Sequence, residues 1–424
     1  MSQPSQAVAK HPLSDGPSEG KSRPSGTFRR VESQLSVHSI PLQKSFLISW
    51  TEYFASFLGW ANPQAKPADP GDHTVWLFDN TAFRPGTRLR LGSQELWVAE
   101  VVAAVFEKNS REDLGKVIAL VADLIGLDGQ AGHDPIVRKR MAERLQPFVS
   151  EVAPARSINL EVPLTATNLH KYKLNPSNQH GIISHAININ SSVPILDGTS
   201  LQPRLGNWPD LVTMNSTFAA PGGWLVISDI DDTIKYTMTP DAIGILRTTF
   251  AEEAKPIHNM PELYAYIQEK LLPTWFYLSA SPYNLYPFLH TFIQQYFPKG
   301  TMILRDCSWQ SLAGLLKSFT QGTQAYKVDR MRKIHGWFPK RKILCIGDST
   351  QRDPEAYAEM YQKHSQWIKA IFIRKVTGLP HMDEQNSPER FEEAFKNVPK
   401  TVWKVFEEPE ELNESIDELR ARFP

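Results

Sequence analysis

Near-continuous apolar segments alternate with amphipathic ones through the second half of the chain. WLVIS from Trp224, TWFYLS from Thr274, TMILR from Thr301, KILCIG from Lys342 and KAIFI from Lys369 are separated by stretches such as MPELYAYIQEKL, LYPFLHTFIQQYF, AYKVDRMRKIHGWF and DPEAYAEMYQKH. A strand without a polar face must be covered on both sides, and an intervening helix supplies that cover. The pattern therefore predicts an α/β fold built on a parallel sheet. Ligands of such sheets bind beyond the carboxyl ends of the strands, which says where to look for chemistry.

The first apolar segment runs straight into Asp229-Ile230-Asp231-Asp232-Thr233. Carboxylates this close repel one another, so folding them together is unfavourable unless a cation or catalysis requires it. A solvated acidic turn would carry the same string. The second segment ends in Ser279-Ala280-Ser281-Pro282, and Lys327 lies near the start of the helical stretch before the fourth. The fourth ends in Gly347-Asp348-Ser349-Thr350-Gln351-Arg352-Asp353-Pro354. Each signal alone has an ordinary explanation: a lone lysine on a helix is usually solvated, and Asp-Pro often opens a helix. Their order is what matters, because an acidic cluster, a hydroxyl, a lysine and a second acidic pair fall at or near one edge of a single sheet.

This set resembles the four motifs of the haloacid-dehalogenase (HAD) phosphohydrolases. The longer strings SDIDDTIKYT, YLSASPYNLYP, ILRD and ILCIGDSTQRDPEAY are similar to one branch, the actin-patch-associated phosphatidate phosphatases, over about residues 221 to 406. The resemblance implies a Rossmann-like parallel sheet in which Asp229 is the nucleophile and forms an aspartyl phosphate. It implies that Asp231 protonates the leaving alkoxide and then activates water, that Ser279 donates to a phosphoryl oxygen, and that Lys327 neutralises it. Mg²⁺ is the implied cofactor, held by Asp229, the backbone carbonyl of Asp231, Asp348 and Asp353. Thr233 would brace the loop, and Asp232 would cap it or steady Lys235. The implied reaction is hydrolysis of phosphatidic acid to diacylglycerol at a membrane surface. A phosphoprotein phosphatase, or an inert fold acting as an actin or membrane adaptor, would carry the same motifs.

About 40 residues separate Thr233 from the second apolar segment, too few for a large cap domain beside a helix. An uncovered site suits a large or surface-embedded substrate, with Tyr236, Tyr283, Leu285, Tyr286 and Trp309 expected around its entrance or in the core.

The first half is read as separate pieces. Residues 1–44 are rich in Ser, Pro, Gln and basic residues and are expected to be a disordered tail. Phe46, Trp50, Tyr53, Phe54, Phe57 and Leu58 recur at helical spacing within 45–62, an amphipathic aromatic helix that would lie on a membrane or pack internally. Pro63, Pro67 and Pro70 suggest a stiff linker, and Pro67 to Pro70 is a PxxP that could meet an SH3 domain or an actin-patch protein. Residues 70–220 read as a β-rich accessory domain with two helices, one after Ser110 and one after Asp134. Residues 221–424 are the catalytic domain, ending in a helix capped by Ser387, a strand VWKVF and a charged helix. The 46 basic and 46 acidic residues cancel, which argues against a nucleic-acid-coating protein. Cys307 and Cys345 form no metal or disulfide spacing, and no secretory segment is visible. A cytoplasmic, peripherally membrane- or actin-patch-associated protein is expected.

Overall fold

The computed structural model describes residues 65–85, 95–108, 113–127, 134–165, 168–305, 312–320 and 322–424, together with Phe28, Arg30 and Val31. The expected helix at 46–60, most of the tail, Ser110 and Trp309 lie outside the described residues. Phe28 and Val31 depart from the expected disorder: both are buried in the main apolar cluster.

The apolar segments of the second half form β1 (Trp224–Ser228), β2 (Thr274–Pro282), β3 (Thr301–Arg305), β4 (Lys342–Asp348), β5 (Ile368–Arg374) and β6 (Trp403–Phe406). All pair in parallel, in the order β3-β2-β1-β4-β5-β6. Alternation with period two sends Val226, Tyr277 and Leu344 to one face of the sheet and Leu225, Ile227, Phe276 and Cys345 to the other. Both faces are dry because helices cover them: α1 (Met260–Leu271), α2 (Tyr286–Tyr296), α3 (Thr323–Trp337) and α4 (Asp353–Lys363). The strand order reverses at β1, which lies between β2 and β4, so the carboxyl ends of β1 and β4 flank a crevice.

Between β1 and α1 the chain holds only the loop after Ser228, a short helix Ala242–Leu246 and a wide turn Arg247–Ala251. No separate domain fits there, as expected. The carboxyl-terminal elements also follow the sequence: Ser387 accepts from the Arg390 N–H to cap helix Pro388–Ala394, and helix Asn413–Arg422 closes the chain.

The first half contributes a largely antiparallel six-stranded sheet whose longest strand, Glu95–Glu107, pairs with His73–Leu77, Asn80–Phe83 and Ile182–Ser191. Its helices are Leu114–Leu124 and Pro135–Val149. The first is capped by Asp113 itself, so it starts later than the Ser110 reading implies. Pro67 is not part of a free linker, since Lys66–Pro67 pairs with Arg156–Ser157.

Packing runs across residue 221. Phe78, Phe106, Leu145 and Phe148 share one apolar cluster with Val226, Tyr283, Tyr286 and Leu289. Polar ties reinforce the contact: Arg341, 2% exposed, donates to Ala220 O, Trp224 O and Thr274 Oγ1, and lies 2.8 Å from Asp197. A guanidinium this deeply buried is tolerable only because its donors are used.

Candidate active site

The loop leaving β1 places its carboxylates under the carboxyl ends of β1, β2 and β4. Asp232 adopts a left-handed conformation (φ 59°), which Asp tolerates better than most side chains. Its carboxylate accepts from the backbone N–H groups of Thr237, Met238 and Thr239 and from the Thr239 hydroxyl. Asp232 is therefore the cap of the turn, one of the two roles the sequence allowed. The fold of the turn points Asp229 and Asp231 inward, where they are 2% and 3% exposed.

Asp229 meets Lys327, whose Nζ lies 2.7 Å from Oδ1 and also bonds Asp353. Lys327 projects from the first turns of α3 and is fully buried. Asp348 ends β4, and Asp353 opens α4. One ligand oxygen from each of Asp229, Asp348 and Asp353 lies within 4.8 Å of the others. Gly347 permits this approach, because a Cβ there would come within 2.7 Å of Asp353 Cβ and 2.8 Å of the Tyr357 ring. Thr233 braces the group, with Oγ1 at 3.1 Å from Asp229 Oδ2 and 3.0 Å from Asp348 Oδ2. Its single hydrogen can serve only one of these oxygens at a time.

The charge count is unbalanced: three buried carboxylates face one ammonium. Burial raises the Asp229 carboxyl well above the ordinary range, and Asp353, Asp348 and Asp231 add to this against the pull of Lys327. Burial, then Asp353, pushes Asp348 up to about 7. Burial alone would lower Lys327, but Asp229, Asp353 and Asp348 outweigh it and hold the ammonium charged. The residues present therefore suit a hard divalent cation: oxygen donors on three sides and surplus negative charge.

A pH dependence follows. Carboxyls raised in the folded state bind more protons than in the unfolded chain between the ordinary carboxylate range and about 7, so their contribution to stability falls as pH rises through that window. In chelator, the melting temperature of the protein is expected to drop between pH 5 and pH 8. A rise across this range would show that folding does not raise these carboxyls.

Asp231 has a different environment. Its Oδ2 accepts from Ser279 Oγ (2.7 Å) and Ser281 Oγ (3.0 Å), its Oδ1 accepts from Thr237 Oγ1 (2.9 Å), and Lys235 Nζ lies 3.7 Å away. All seven expected residues, Asp229, Asp231, Thr233, Ser279, Lys327, Asp348 and Asp353, thus gather at one end of the sheet. Ser281, Thr237 and Lys235 were not singled out for the site. Ser281 was within reach of sequence reasoning, since β2 continues to Pro282 and residues two apart on a strand share a face.

One expectation needs correction. The site is not an open rim: Ser279, Lys327, Asp348 and Asp353 are fully buried, and the Thr239–Thr350 hydroxyl contact of 2.8 Å ties the first loop to the loop after β4. Of the two places the sequence left open for Tyr283, Leu285 and Tyr286, entrance or core, they take the core. They are 1%, 2% and 5% exposed because the first-half sheet covers them. Tyr286 stacks on Phe78 at 4.1 Å and accepts from the Asp79 N–H, while Tyr283 donates to His180 O. Tyr236, 38% exposed, remains at the surface.

Comparison with known proteins agrees with the motif reading. Residues 224–375 match the family described as the catalytic domain of phosphatidate phosphatase APP1. Over 317 residues, 70% of this chain and 52% of the relative, the sequence is 26% identical to phosphatidate phosphatase APP1 of Saccharomyces cerevisiae. A Schizosaccharomyces pombe protein described as uncharacterized is 28% identical over 158 residues, covering 36% of this chain and 25% of that protein. The chain thus spans about half the length of the first of these relatives and a quarter of the second.

Proposed function

From the match of residues 224–375 to the APP1 catalytic-domain family, we propose that this chain is a Mg²⁺-dependent phosphatidate phosphatase of the HAD type. The observation that carries the reading is the Asp229–Lys327 pair at the point where the strand order reverses, with Asp231 beside it among hydroxyl donors. No helix of the described residues is long and apolar enough to cross a membrane.

In this reading Asp229 attacks phosphorus and carries the phosphoryl group as an aspartyl phosphate. Asp231 gives its proton to the leaving alkoxide and takes one from the water that hydrolyses the intermediate. Ser279 would turn from Asp231 toward a phosphoryl oxygen, while Ser281 and Thr237 keep Asp231 in place. Lys327, already charged and dry, neutralises the transferring group, where an ammonium acts far more strongly than in water. Asp229, Asp348, Asp353 and the Asp231 carbonyl would hold Mg²⁺, which when bound supplies further positive charge against the phosphoryl oxygens.

The test is phosphate release from phosphatidate vesicles, short-chain lipid phosphates and phosphopeptides, each with Mg²⁺ and with chelator. Release from phosphatidate that chelator abolishes is the expected result. Release confined to phosphopeptides would replace the lipid by a protein substrate, and release from nothing would leave the adaptor reading.

A further inference from the structure

A cleft of about 560 Å³ adjoins the carboxylate site and takes no part in the chemistry above. Tyr236 and Arg374 are among its lining residues. Tyr236 directly follows Lys235, whose ammonium lies near Asp231. Arg374 ends β5 in register with Asp348 and donates through Nη1 to the Asp232 carbonyl at 2.8 Å. The cleft thus opens on the same end of the sheet as the proposed nucleophile.

Its charged lining is Lys255, Arg374 and Lys375, with His258 beside them, against Glu407 and Glu408, whose charge also acts on Arg374. Both acids are already engaged. Glu407 pairs with Lys375 at 2.7 Å in a half-exposed contact of small energetic weight. Glu408 caps the turn Pro409–Leu412 in a reciprocal box with Glu411. Lys255 and His258 are exposed and have no acidic partner within ion-pair distance among the described residues. Arg374 Nε is buried without a hydrogen-bond partner among the described residues, an arrangement that costs free energy in the absence of an acceptor.

We propose that this cleft is a second anion subsite, which takes a phosphate-bearing group beside the one that reacts. Guanidinium and ammonium donors spread around a solvent-open cleft suit a tetrahedral anion, and its volume admits a headgroup larger than phosphate itself. The source is either the headgroup of a neighbouring anionic phospholipid or a free soluble phosphate. The lipid source rests on the phosphatidate reading, whereas the preference for a phosphate anion does not.

The experiment measures binding of the full chain to phosphatidylglycerol vesicles at low ionic strength. Phosphatidylglycerol is a phosphodiester, so its binding does not depend on monoester turnover. The charge-reversed double variant Lys255→Glu/Lys375→Glu is compared with wild type and with Lys255→Arg/Lys375→Arg. Arg374 is left intact because it holds the Asp232 carbonyl. Loss of the two lysines is expected to weaken vesicle binding by about thirtyfold or more, and the arginine variant to restore it. Glycerol 3-phosphate added to wild type separates the sources: competition identifies a soluble phosphate, and its failure to compete identifies the lipid surface. Vesicle and glycerol 3-phosphate binding by the charge-reversed variant equal to wild type would overturn the proposal. A melting curve unchanged between the two variants guards against misfolding as the cause of any loss. Phosphatidate hydrolysis could fail with this binding intact, which keeps the two conclusions separate.

Discussion

Asp229→Asn is expected to remove phosphate release from phosphatidate, by about 10⁴-fold or more, while leaving the protein folded. The amide keeps the shape of the carboxylate, and its oxygen still accepts from Lys327, but it cannot take up a phosphoryl group. Stability should move little, by about 1 kcal/mol or less, because the substitution removes one of three crowded carboxylates and leaves Lys327 bonded to Asp353. The measurement is paired: steady-state phosphate release and a melting curve on the same preparation. Residual activity within tenfold of wild type would exclude Asp229 as nucleophile. Loss of the melting transition would show instead that the carboxylate is needed for folding.

Lys327→Met tests the opposite charge. Methionine matches the length of the lysine stem, so the volume of this buried position is largely kept, but Asp229 and Asp353 lose their ammonium in a buried site. Removing one partner of a buried ion pair typically costs about 3 to 5 kcal/mol, because the remaining charge is stranded. That loss should appear as a lower urea midpoint in chelator. Millimolar Mg²⁺ is expected to recover part of it, since a cation among Asp229, Asp348 and Asp353 offsets the missing charge. A midpoint unchanged in chelator would mean that the carboxylates do not depend on Lys327. Mg²⁺ failing to shift the variant at all would remove the case for a cation there. Activity should also fall by about 10²- to 10³-fold, the effect of deleting one donor to a transferring group.

The second half was legible because its signals are local. Apolar runs such as those from Trp224 and Lys342 can only be strands covered on both faces, and each became one. A motif at a strand end also stays at the sheet edge when the strand forms, so Asp229, Ser279 and Asp348 could be placed from sequence order alone. Ser281 was equally readable from its two-residue spacing.

Other features depended on residues far apart in the chain. Tyr286 looks the same in sequence whether it lines an entrance or packs inside. The Asp79 N–H bonded to it, 207 positions away, decides the matter.

What the sequence determined by itself was the strand-and-helix alternation, the parallel sheet and the set of groups at its carboxyl end, because periodicity and motif order survive folding unchanged. What only the tertiary structure decided was burial: which aromatics are covered, that the carboxylates are enclosed, and that Lys255, His258, Arg374 and Lys375 meet in one cleft. The first follows from the first-half elements that pack on Tyr283 and Tyr286, and the others from loops and strand ends of the second half that meet at one end of the sheet. Such closure is fixed by contacts between distant segments, and no local pattern encodes it.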